Sequence, residues 1–140
     1  MDNISDKLFL HESHWEIMLA DILERNFEEA CGLVAGVDQT SCAVFRVINV
    51  LHSPVRFRMD PEQQLGYFNQ IDDADWQLQA IYHSHLKGPE QPSPIDIEEA
   101  NYPGVINLIW SHTFGNWDCR GYLINNGIVE RIPIYRIEAK

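Results

Sequence analysis

The chain has 140 residues, 45% hydrophobic and 22% charged, which suits one globular domain with its own core (residues 1–140) and leaves too little chain for two. Folding at this length buries roughly 68% of the unfolded chain's surface, so a core can form without disulfide or metal staples. Ten basic against 21 acidic residues give a net charge of −11, which argues against nucleic-acid or anionic-membrane partners, and no run approaches the ~20 apolar residues that cross a bilayer.

The opening MDNISDKLFLHESH lacks the basic-then-apolar order of a secretory signal. Cys31, Cys42 and Cys119 are odd in number, widely spaced and form no CxxC pair, so they predict reduced core thiols and a cytoplasmic protein. Leu8 to Leu10 reads as a short strand. Trp15, Met18, Leu19, Ile22 and Leu23 recur at helical spacing and predict an amphipathic helix over about residues 11–26. His11 and His14, beside that helix, are expected to face solvent. Ala30 to Ala35, closed by Gly36, reads as a buried strand, and the β-branched run Ala43 to Leu51 as another.

Asp60-Pro61-Glu62-Gln63 is a helix start, with Asp as cap and Pro in the first turn; the helix is expected to reach about Ile71, before an acidic connector over Asp72–Asp75. Leu78 to His83 is strand-like. Ser93-Pro94-Ile95-Asp96 repeats the helix-start chemistry, and Pro103 is expected to end that helix. Val105 to Trp110 predicts a strand, and Asp118–Ile124 with Ile128–Ile137 a hairpin turning at Asn125-Asn126-Gly127. Helices alternate with strands early and strands pair late, a pattern for an α/β fold with a mixed sheet covered by helices.

The chemistry concentrates in one window. His83 and His85 are two apart on a strand, so both point to one face while Ser84 points to the other. The loop that follows contains Gly88, Pro89 and Pro92 and can turn back to bring Asp96 in at a helix start. Two imidazoles and one carboxylate are the ligand count of catalytic zinc with a fourth position open to water. Such chemistry needs a base. Glu90 lies in a Pro-bounded loop tip and is expected to be solvated; Glu29, entering beside the histidine strand, is the better candidate. Ser93 has two compatible readings, as a helix cap and as a donor to a developing oxyanion. His112, just past Trp110, could line the same cleft, with Trp76, Trp110 and Trp117 as core or cleft wall. Taken singly these features are bland: a strand His pair that packs, a capping Ser, a solvated Glu28–Glu29 pair.

Together they carry a resemblance. His83-Ser84-His85, seven residues, Ser93, two residues and Asp96 match the JAMM signature H-[ST]-H-x7-S-x2-D without a gap. Glu29-Ala30-Cys31-Gly32-Leu33-Val34 resembles the E-x-C-G-L-[LV] strand entry of the same proteins, and Asn49 and Phe57-Arg58-Met59-Asp60-Pro61 are similar too. The chain therefore resembles the MPN-plus metalloproteases of compact prokaryotic type. That resemblance implies a cytidine-deaminase-like fold, a curved mixed sheet flanked by helices. It implies zinc on His83, His85 and Asp96, Glu29 as general base and then general acid, and Ser93 stabilising a tetrahedral intermediate. The implied reaction is hydrolysis of amide or isopeptide bonds after the C-terminal tail of ubiquitin-like or sulfur-carrier proteins. A non-catalytic MPN scaffold that binds other proteins is the alternative, although scaffolds of that kind lack one or more of the metal ligands. A zinc nucleobase deaminase would need a PCxxC pair, and none is present.

Overall fold

The computed structural model describes residues 6–113 and 115–138. In chain order the elements are β1 (Leu8–His11), α1 (Glu12–Glu24), β2 (Cys31–Val37), β3 (Thr40–Val47), α2 (Pro61–Asp73), β4 (Gln77–Ser84), α3 (Pro94–Glu98), β5 (Ile106–Thr113), β6 (Asn116–Asn125), β7 (Ile128–Ile132) and β8 (Ile134–Ile137). All eight strands join one sheet in the order β7-β6-β5-β4-β2-β3-β1-β8. The β4–β5, β1–β3 and β1–β8 pairs are parallel and the rest antiparallel. β7 and β8 lie at opposite ends of that order yet only Pro133 separates them, so the sheet curls until its two edges meet. The Leu8 N–H donates to the Pro133 carbonyl at 3.1 Å, extending the β1–β8 pairing to the residue that joins the two ends.

Strand alternation sorts side chains onto two faces. Ala30, Val34, Ala80, Tyr82, Leu108 and Trp110 pack with Trp15, Met18 and Ile22 of α1. Cys31, Leu33 and Val47 point the other way, against Met59, Phe57 and the α2 residues Tyr67 and Phe68. His83 belongs to this second face: it alternates with Tyr82 and stacks on Phe57 with ring centroids 4.6 Å apart. Ser84 points inward, where its hydroxyl accepts from the Ala30 N–H at 2.9 Å and locks β4 to the entry of β2.

The mixed sheet and flanking helices match the expected class, and several bounds shift for physical reasons. β3 ends at Val47, not Leu51, because the buried Asn49 amide takes over from the sheet ladder: it donates to the Glu29 and Arg56 carbonyls and accepts from the Leu51 and Arg58 N–H groups. α3 stops at Glu98, well before Pro103. The span Ile128–Ile137 is two strands, because Pro133 has no N–H for the ladder and the chain crosses there to the far edge. Asn126 and Gly127 both take positive φ, as a two-residue hairpin turn requires. All three cysteines are free; Cys31 and Cys119 are buried, whereas Cys42 is only half-buried and is not core. His11 and His14 are half-buried instead of solvent-facing, and His14 Nδ1 lies 2.6 Å from the Ser41 hydroxyl.

Candidate metal centre and its groove

β4 delivers His83 and His85 at its C-terminal end, and the Leu86–Pro92 loop returns the chain so that α3 begins beside them. The loop is packed tightly against the second histidine. A Cβ on Gly88 would sit 3.1 Å from His85 Cβ and Cγ, so the glycine lets the backbone close over the ring. His85 Nδ1–H donates to the Pro89 carbonyl at 2.7 Å, which leaves Nε2 with its lone pair aimed at the cluster. At α3, Ser93 and Asp96 form a reciprocal capping box: the Ser93 hydroxyl accepts from the Asp96 N–H at 3.0 Å, and the Ser93 N–H donates to Asp96 Oδ2 at 2.9 Å. The cap fixes the carboxylate that faces the imidazoles.

Three ligand atoms converge. His83 Nε2 and His85 Nε2 are 3.1 Å apart, and Asp96 Oδ2 is 3.2 Å from the first and 3.0 Å from the second. The edge of a tetrahedron with bonds of ~2.0–2.1 Å is ~3.3 Å, so the triangle has the size that a small divalent cation needs. Two imidazole nitrogens and a carboxylate oxygen, all largely buried, form a donor set suited to such an ion. Their charges are interdependent. Burial holds His83 below the ordinary histidine range, whereas for His85 the bonds to Asp96 and Pro89 outweigh burial and raise it. Burial would raise Asp96, but its bonds to His83 and His85 dominate and hold it well below the carboxylate range.

The cluster separates two recesses. A groove of about 790 Å³ holds Glu29, His85, Ser93 and His112, with Leu23, Phe27, Val55 and Trp117 on its walls. A narrower pocket of about 240 Å³ holds His83 and Asp96, with Phe57, Arg58, Gln64 and Tyr102. Glu28 and Glu29 are not a solvated pair; both are buried. They diverge: Glu28 Oε1 sits 2.8 Å from His52 Nδ1 and Oε2 lies 3.7 Å from Arg25, while Glu29 alone enters the groove. The backbone of Glu29 is held by its N–H donating to the Ser53 carbonyl and by Asn49. Burial pushes its carboxyl up to about 8; His85 lowers it somewhat and the Asp96 charge raises it further. Glu90, the lesser candidate for a base, lines neither recess and pairs with Arg120 at 3.0 Å.

The structure thus brings His83, His85 and Asp96 together, with Glu29 and Ser93 on one side of them. Trp117 and His112 pack together on the groove wall at 4.6 Å, whereas Trp110 is fully buried in the core. Asn49 and Arg25 are positioning residues that the motif does not contain. Arg25 donates to the Val47 and Cys31 carbonyls and to buried Asp21, joining the end of α1 to β2 and β3. Tyr82 reaches the same Asp21 at 2.6 Å across Gly32, where a Cβ would overlap its ring. Gly32 in the strand-entry motif is the one signal that could have announced this network.

A curled mixed sheet whose histidine strand meets a capped carboxylate is the architecture that the motif described. Residues 11–123 match the family of prokaryotic homologs of the JAB domain, and the chain belongs to that family. It is similar to a desampylase of Pyrococcus furiosus, 31% identical over 96 residues that cover 69% of each chain. It is also similar to a CysO-cysteine peptidase of Mycobacterium bovis, 29% identical over 124 residues, 86% of this chain and 85% of that one. A solution structure of a Desulfitobacterium hafniense protein superposes with a TM-score of 0.84 at 29% identity, covering 94% of both chains.

Proposed function

We propose that the protein is a zinc-dependent peptidase that hydrolyses the amide or isopeptide bond following the C-terminal tail of a ubiquitin-like or sulfur-carrier protein. The observation that carries this reading is the convergence of His83, His85 and Asp96 within 3.2 Å of one another beside a groove that holds a buried, high-pKa Glu29. His83, His85 and Asp96 would hold the ion. When bound, zinc supplies a Lewis acid for the scissile carbonyl and lowers the pKa of water.

The residues of the chain supply the rest. Glu29 takes a proton from the attacking water and returns it to the departing amine, so that water is consumed and one carboxylate and one amine leave. Burial raises its carboxyl to about 8 in the metal-free protein, which favours its carrying the proton between the two steps, and a cation beside it would favour the carboxylate that accepts that proton. Ser93 offers its hydroxyl proton to the carbonyl oxygen as charge develops there, its lone pair being engaged by the Asp96 N–H. Pro89 holds the His85 tautomer, and Asn49 fixes the backbone from which Glu29 projects. The names of the curated relatives, a desampylase and a CysO-cysteine peptidase, support a protein-tail substrate. A complete ligand set disfavours the non-catalytic scaffold. No helix among the described residues is long and apolar enough to cross a membrane; a cytoplasmic setting rests on the free cysteines.

The test is incubation of zinc-loaded protein with linear and isopeptide-linked fusions of ubiquitin-like proteins, with and without a chelator. Cleavage at the end of the tail that the chelator abolishes is expected; intact fusions, or cleavage indifferent to the chelator, contradict the proposal.

A further inference from the structure

The two recesses differ in chemistry, and that difference assigns a direction to the substrate. Glu29 gives its proton to the departing amine in the reading above, on which this inference rests, and Glu29 lines the wide groove but not the narrow pocket. The leaving group must therefore lie in the wide groove. The tail lies across the cluster, toward the narrow pocket edged by Arg58, Gln64 and Tyr102, whose size suits small residues.

We infer that the wide groove is a leaving-group subsite selecting polypeptides with aliphatic or aromatic residues beside the departing amine, and that Leu23, Phe27 and Val55 determine this preference. These three side chains come from separate segments, the end of α1, the turn into β2 and the loop after β3. They remain 52%, 65% and 74% exposed although they are large and apolar. Apolar side chains that gather around a reacting centre instead of a core mark a binding surface. Trp117 and Leu86 extend the same wall, and among the described residues Lys87 is the only Lys or Arg lining it. Such a lining offers burial, and little to a free amino acid whose recognition would rest on its charges. The occupant is thus the polypeptide that carries the amine, continuous with the bond being broken.

The experiment uses the zinc-loaded full chain and two probes. Each is an acyl-Gly-Gly group in isopeptide linkage to the lysine of a pentapeptide; in one the lysine is flanked by leucines, in the other by serines. A preference in kcat/KM of about tenfold for the leucine-flanked probe is expected, the size that one or two extra apolar contacts confer. In Phe27→Ser and Val55→Ser the ratio should fall toward one. Because both side chains are exposed, the variants should melt with the wild type, which separates a lost contact from a lost fold. Equal cleavage of the two probes by the wild type overturns the subsite alone, as does a preference that survives in both variants. Cleavage of neither probe by protein that cleaves the ubiquitin-like fusions overturns the subsite alone; cleavage of neither probes nor fusions overturns the hydrolytic reading as well. Concentration-dependent self-association that Phe27→Ser abolishes, with the probe ratio unmoved, would show that the surface seats a second copy of this chain, and would also overturn the assignment.

Discussion

At the scale of single residues, neighbouring carboxylates are given different work by their surroundings. Glu28 lies 2.8 Å from His52 and 3.7 Å from Arg25, while Glu29 is buried in the groove and forms no ion pair among the described residues. In the metal-free protein its folded pKa, about 8, lies above its ordinary value of 4.5. Its contribution to stability is therefore complete below pH 4.5 and is lost as pH rises through 8. Glu29→Gln should remove that slope: relative to the wild type, the metal-free variant should gain melting temperature between pH 5 and 9. The same variant should retain zinc and lose most turnover; wild-type rates would exclude Glu29 as the base. Ser93→Ala should lower the rate by roughly 10²–10³ if the hydroxyl serves the oxyanion, by analogy with removing one such donor. It should also cost about 1 kcal/mol through the lost cap, so chemical denaturation and turnover have to be measured together. The motif made the candidate set, His83, His85, Asp96, Glu29 and Ser93, legible in the sequence, and the structure gathers those five side chains. Asn49 stands out only as part of the resemblance, without its role, and Arg25 not at all, because their work is done on backbone groups of distant segments, which leave no local pattern.

At the scale of elements, the site depends on how β4, the Leu86–Pro92 loop and α3 are held relative to β2. Two side chains do much of this. Ser84 bonds β4 to the entry of β2, and Asn49 satisfies four backbone groups where β3 has left the sheet. Replacing Asn49 with Ala orphans those groups. The expected loss is at least about 2 kcal/mol in urea denaturation, with faster amide exchange over residues 48–58. A stability within 0.5 kcal/mol of the wild type would show that water replaces the amide. Element existence was readable from periodicity and caps: Asp60 and Ser93 both cap as the sequence implied. Element ends were less so. The β-branched run through Leu51 continues past the strand because a buried amide, not residue preference, ends it. Ile128–Ile137 looks continuous because both strands are rich in β-branched and aromatic residues and only Pro133 marks the crossing.

For the whole molecule, curling the sheet onto itself leaves one face for α1 and the other for α2, α3 and the site. The interior face is apolar and closed around Trp110 and Met18, and it also contains the buried Asp21, matched by Arg25, Arg46 and Tyr82. The opposite face takes the polar cluster at the mouth of two recesses. The acidic surface, net −11, solubilises the chain and disfavours phosphate-rich partners, in keeping with a protein substrate. The whole account depends on one cation held by three side chains. Calorimetric titration of chelator-treated, dialysed protein with zinc tests that most directly. One equivalent bound by the wild type, and lost in His83→Ala, His85→Ala and Asp96→Ala while Glu29→Gln retains it, is the predicted result. No binding to the wild type, or a full equivalent bound after His85→Ala, would contradict it.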